Sequence, residues 1–138
     1  MKGIKITPAD TAFSKCIRYA AYYTCQKCGI SKPPTGLVGS PGLECSHNFS
    51  RRHRTIRWCK ENALSLCHQC HSWFGENPAD SGRWLETMIG TGALDILREK
   101  RDRTFKITKA DEKEIAAHYR KELKNMEKTG IREFTSFQ

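Results

Sequence analysis

Residues 45–71 read CSHNFSRRHRTIRWCKENALSLCHQCH, and the reading of this stretch decides the fold. It holds His47 near its start, Asn62 further along and His71 at its end. His71 directly follows Cys67-His68-Gln69-Cys70, a pair of cysteines with two residues between them. A matching pair, Cys25-Gln26-Lys27-Cys28, lies upstream across a spacer of 38 residues. Two such turns supply four thiolates, which suits the tetrahedral preference of structural zinc. The expectation is one zinc held by Cys25, Cys28, Cys67 and Cys70. The spacer is longer than a simple zinc ribbon needs, so a further element must fold inside it, and a hairpin carrying His47 is expected there.

Working outward, the residues before His47 divide into a helix and a loop. Thr7 is a plausible N-cap, Pro8 suits the first helical position and Asp10 the third, which predicts a helix to about Tyr22 that buries Phe13 and Ile17. Cys16 falls near that apolar face and reads as core. Residues 29–43 are rich in Gly and Pro and read as loop, with at most a short strand at Leu37-Val38. The hairpin is expected to pair residues 44–49 with a return strand at 55–58 through an arginine-rich loop. Cys59 reads as a small buried hydrophobe, whereas the role of Cys45 stays open.

Beyond the stretch, a helix is expected to run from Cys67 to a stop at Asn77-Pro78. Helices over 81–89 and 93–103 follow. Thr108 with Asp111 caps a last helix whose stripe is Ile115, Tyr119, Leu123 and Met126. The tail from Gly130 reads as weakly ordered, although Phe134 and Phe137 offer docking groups. The fold class is therefore a small α+β zinc-containing domain over 1–103, with a C-terminal helical extension over 104–138.

Composition limits the partners. The chain has 138 residues, seven cysteines and a net charge of +9. Residues 25–71 hold seven Lys/Arg and two acids, net +5, and residues 1–24 add +3. A cationic field over the candidate site points to a polyanion, most simply DNA. No apolar run is long enough to span a membrane. The odd cysteine count, the two CxxC pairs and a start without a secretory apolar run are read as reduced thiols in the cytoplasm.

The His-Asn-His set suits phosphodiester hydrolysis. That reaction needs a base for water and a cation for the charge growing on phosphate and leaving oxygen. His47 is the candidate base, with Asn62 as the group that orients it. His71, on the first turn of a helix, is the candidate ligand of a divalent ion. Arg51, Arg52, Arg54 and Arg57 surround the hairpin loop as candidate phosphate contacts.

At this point the run His-x14-Asn-x4-Cys-x2-Cys-His resembles the HNH, or ββα-metal (His-Me finger), nucleases with a four-cysteine zinc site. Asp10-x2-Phe13-Ser14-x2-Ile17-Arg18, Cys25-x2-Cys28-Gly29, Cys45-Ser46-His47, Arg57-Trp58-x3-Asn62 and Asn77-Pro78 are similar to the lambdoid phage NinG/Rap recombination endonucleases, over about residues 10–100. The resemblance implies a ββα-metal finger and metal-dependent cleavage of DNA, in that narrower group of branched recombination intermediates. It makes His47 the general base, Asn62 its orienting group and His71 a ligand of the catalytic ion. Many HNH sequences place Asp or His directly before the base; here that residue is Ser46. Either Cys45, Ser46 or Glu44 is the second ligand, or the ion is held by His71, water and substrate phosphates; the ion is Mg2+, Mn2+, Ni2+ or Zn2+. If phage-encoded, the protein would work in the bacterial cytoplasm, in recombination or beside a terminase in packaging. The alternative is a non-catalytic zinc module that binds nucleic acid. The sequence assigns no oligomeric state.

Overall fold

A computed structural model describes residues 4–33 and 42–138. In chain order it contains α1 (Pro8–Ala20), β1 (Leu43–His47), a single 3-10 turn (Lys60–Asn62), β2 (Ala63–Cys67), α2 (His68–Glu76), α3 (Pro78–Ile89), α4 (Thr91–Arg101) and α5 (Lys109–Thr129). This is a small α+β domain built on one antiparallel hairpin. The expected strand at Leu37-Val38 lies outside the described residues.

The caps form as the local sequence dictates. Thr7 donates its backbone N–H to Asp10 Oδ2 at 2.8 Å, and Asp10 N–H reaches Thr7 Oγ1 at 3.3 Å. Thr108 and Asp111 repeat the arrangement at the start of α5, satisfying first-turn donors that otherwise have no partner. Helix α1 stops at Ala20 rather than Tyr22 because Tyr22 and Tyr23 adopt φ of 58° and 50°. These two left-handed residues turn the chain toward Cys25. Pro78 occupies the first turn of α3, so that helix begins three residues before the expected 81.

The return strand is the main correction. The partner of β1 is β2, in a register that pairs Leu43 with Cys67 and His47 with Ala63. Residues 55–58 are not a strand. The chain there bends through successive turns, Ile56 N–H to the His53 carbonyl at 3.1 Å and Cys59 N–H to the Ile56 carbonyl at 3.1 Å. The physical reason lies on α1: Arg57 and the adjacent Trp58 both donate to the buried Asp10 carboxylate. Neighbouring strand residues point to opposite faces, so two neighbours that serve one acceptor do not alternate.

Strand β2 is buried along its whole length. Ala63 packs with Phe13, Cys16, Ile17, Ile115, Tyr119 and Met126 between α1 and α5. Leu64 and Leu66 pack instead with Cys25, Leu43, Leu85 and Leu94. A short apolar run is what a strand covered on both faces requires. Gln26 covers part of its edge, accepting from Ser65 N–H through its side chain and donating its own N–H to the Ser65 carbonyl, both at 2.8 Å.

Two C-terminal expectations change as well. Helix α5 is not an appendage: Ile115, Tyr119 and Met126 share one core with α1 and with Trp58. The tail docks too. Phe134 is buried, Phe137 N–H donates to Tyr119 Oη at 3.1 Å, and Lys60 N–H donates to Ser136 Oγ at 2.9 Å. Among the described residues no helix is long and apolar enough to cross a membrane.

Candidate functional site

The two CxxC turns converge. Sulfur atoms of Cys25, Cys28, Cys67 and Cys70 all lie within 4.8 Å of one another, and Cys28 Sγ is 3.8 Å from Cys67 Sγ. Tetrahedral bonds of about 2.3 Å to zinc set sulfurs roughly 3.8 Å apart, so the spacing fits a four-thiolate metal centre. The thiols differ in acidity. At Cys25 burial opposes ionisation, but backbone N–H groups of Cys28, Cys67 and Lys27 outweigh it and bring the thiol down to about 6. Cys70 is pushed up to about 12 by burial and by the neighbouring thiols. Crowded sulfurs resist sharing negative charge unless a cation joins them, which is the chemistry of a metal-binding set.

His47 stands at the end of β1 with Nε2 2.9 Å from the carbonyl oxygen of Arg57. A carbonyl only accepts, so Nε2 carries the proton and Nδ1 keeps its lone pair. Burial holds the imidazole neutral, with its pKa lowered to about 4 despite that carbonyl, and Phe13 lies alongside at 6.0 Å between ring centroids. The orienting group is therefore not the expected one. Asn62 is fully buried, but its amide spans the loop: Nδ2 donates to the Phe49 and Ile56 carbonyls at 3.1 Å each, and Oδ1 accepts from Phe49 N–H at 2.8 Å. Asn62 thus closes the loop that presents the Arg57 carbonyl, and it acts on His47 only through that loop.

The Arg57 carbonyl is itself anchored from α1. Arg57 Nε donates to Asp10 Oδ1 at 3.0 Å, its Nη2 donates to Oδ2, and Trp58 Nε1 adds a bond of 3.0 Å to Oδ1. Burial alone would raise the Asp10 carboxyl, but the Arg57 guanidinium and Thr7 hold it below its ordinary value. A buried pair with this many bonds is fixed in place, because leaving either charge alone would be costly. Arg57 is consequently a structural residue, not a phosphate contact.

His71 lies on α2 and hydrogen-bonds through Nδ1 to Glu44 Oε1 at 2.6 Å, while His68 Nδ1 meets Glu44 Oε2 at 3.1 Å. Burial works against the Glu44 charge, but the two imidazoles outweigh it and keep the carboxyl low. The other two candidates beside the base behave differently. Cys45 packs toward the α1–α5 core, and burial pushes its thiol to about 12, so it is held neutral. Ser46 is fully buried and its hydroxyl has no partner among the described residues.

Glu44, Cys45, His47 and His71 border one cleft of about 510 Å³, which Arg18 and Arg51 also line. Arg51 therefore reaches the site, as expected from the sequence, whereas Arg54 bonds to the Ile107 carbonyl at 3.2 Å and pairs with Glu112 at 3.5 Å, away from the cleft. Arg52 stays exposed on the loop. Arg18 was missed as a site residue. Its signal was its place off the apolar stripe of α1, four residues past Ser14, which lines the same cleft.

Comparison with protein families, curated proteins and solved structures returned no match.

Proposed function

We propose that this chain is a metal-dependent DNA endonuclease of the HNH, ββα-metal type, with zinc in its four-thiolate centre. The observation that carries the reading is a neutral His47 imidazole, its tautomer fixed by a backbone carbonyl, lining one cleft with the Glu44–His71 pair and with Arg18 and Arg51. A hairpin that runs directly into the helix carrying His71 supports the same assignment.

In this reading His47 Nδ1 takes a proton from water as the water oxygen bonds to phosphorus and the bond to the leaving oxygen breaks. Glu44 and His71 would hold a divalent cation, which supplies charge neutralisation at the phosphate and leaving oxygen. Arg18 and Arg51 would grip the flanking phosphates. Glu44 replaces Cys45 and Ser46 as the preferred second ligand because an ionised carboxylate already touches His71, while the thiol is held neutral.

His47→Ala tests the reading. Cleavage of supercoiled plasmid and of a four-way junction, with Mg2+, Mn2+ or Ni2+, should fall by at least about 100-fold, in line with removal of a general base. Binding of the same DNA and the zinc content should persist. A wild-type protein that binds both DNAs and cuts neither with any of these ions is instead the non-catalytic binding module.

A further inference from the structure

The end of β1 borders a second hollow that the chemistry above does not use. Its volume is about 430 Å³, and it lies between residues 46–49, α2 and the α3–α4 pair. His47 and His71 line both this hollow and the first cleft, so the two meet at these imidazoles. The first cleft carries Arg18 and Arg51, and the second carries Arg98 from α4. A strand passing the imidazoles would therefore meet a guanidinium on either side.

The second hollow has features of a site that receives a polar ligand. The Ser46 hydroxyl and Asn48 Oδ1 are buried with no hydrogen-bond partner among the described residues, and both residues line it. Phe49 and Phe74 give it ring-bearing walls, and its volume is that of a small-molecule site. Arg98, which lines it, lies 5.8 Å from the Phe49 ring centre, and Arg101 lies 5.3 Å from the same ring. Among the described residues Arg98 is paired at 2.9 Å with Asp95, whose side chain is 73% exposed, so a phosphate can displace that partner. Glu86 stands on the same rim, so attraction here belongs to direct contact with the guanidiniums rather than to a broad positive field.

We propose that the second hollow is a nucleotide subsite, taking one nucleotide of the bound strand against Phe49 and Phe74 with its phosphate on Arg98. The inference rests on the nuclease reading for the role of the strand, but it is tested by binding alone. Aromatic walls accept any base by stacking, and the Arg98 guanidinium supplies the donors for its phosphate.

Two variants probe it from opposite directions. Arg98→Ala removes the charge. Gly82→Phe fills the hollow, and Gly82 tolerates a Cβ because nothing lies within 4 Å of that position. Arg83→Ala, on the same helix but not lining the hollow, is the control. Binding of a fluorescein-labelled single-stranded oligonucleotide is read by anisotropy over a salt series, alongside zinc content and circular dichroism. Arg98→Ala should weaken binding about fivefold or more and reduce the salt slope by roughly 0.7, the share of one phosphate contact on a single strand. Gly82→Phe should weaken binding comparably with zinc and helicity intact, and Arg83→Ala should bind as wild type. Wild-type affinity in both test variants, or no binding by the wild type, overturns the subsite. Binding lost in the variants of a protein that never cuts leaves the subsite standing and removes the nuclease reading. Cutting and binding unchanged in the variants does the reverse.

Discussion

The two sides of the hairpin are held together by different forces. On one side α1 buries Ala9, Ala12, Phe13, Cys16 and Ile17 against α5. On the other, α2 has no buried residue at all, although it carries Cys70 and His71. Helix α1 is kept in place by apolar area removed from water, whereas α2 contributes Cys70 to the four-cysteine cluster and packs through the half-buried Phe74 and Trp73 on Trp84. The lesson is that the candidate site lies on a seam. His47 leans on the apolar side through Phe13 and the Asp10–Arg57 anchor, and His71 depends on the thiolate side.

The strongest way to break this contrast is to remove the metal. With a strong chelator, or with Cys67→Ser, the hairpin–α2 side should lose amide protection while α1 and α5 keep theirs; hydrogen exchange by mass spectrometry reads both halves at once. Structural metal binding is coupled to the folding of the segments that supply its ligands, so its removal acts first on the cysteine turns and α2. Uniform loss of protection in both halves would show a single cooperative unit and dissolve the contrast.

Next in size is Asp10→Asn, which strands the Arg57 guanidinium and should cost about 3–5 kcal/mol in denaturant unfolding. The pH dependence has a definite sign. Asp10 titrates below its ordinary value of 3.8 in the folded protein, so its stabilisation is complete above about pH 4 and fades as pH falls through the folded value. His47 adds a second window. Its folded pKa of about 4 lies below the ordinary 6.5, so the unfolded chain binds the proton first and stability declines as pH drops from 6.5 to 4. The variant should flatten the lower window and widen the upper one, because the Asp10 charge favours the protonated His47.

Met126→Ala, at a fully buried position of the α1–α5 core, should cost about 2–5 kcal/mol without changing zinc stoichiometry, which sharpens the division. The smallest effect belongs to Lys27→Ala. Its ammonium sits 4.3 Å from the Trp73 ring centre beside the cysteine turn, an exposed contact worth about 0.5–1 kcal/mol. Tryptophan fluorescence should shift while stability barely moves.

Much of this architecture was legible because its causes are local. The Thr7–Asp10 and Thr108–Asp111 caps join residues three apart, and the stripe of α5 is a matter of helical period. The cysteine pairs announced their partner by spacing alone. The return strand was misplaced because Thr55-Ile56-Arg57-Trp58 and Ala63-Leu64-Ser65-Leu66 are both rich in strand-forming or apolar residues, and β propensity cannot rank them. The choice was made by Asp10, a carboxylate 47 residues away from the arginine it captures. The same capture removed Arg57 from the phosphate contacts and set its carbonyl against His47.

Sequence alone determined which chemistry this chain carries: four sulfurs in two turns, a histidine on a hairpin and another on the helix behind it, under a positive charge. Tertiary structure alone decided which groups serve which, placing Arg57 rather than Asn62 against His47 and Glu44 rather than Cys45 against His71. The division has a physical cause. Ligand spacing and helix caps are settled within a few residues of chain, whereas the environment that fixes a tautomer or keeps a thiol neutral exists only once distant segments exclude water together.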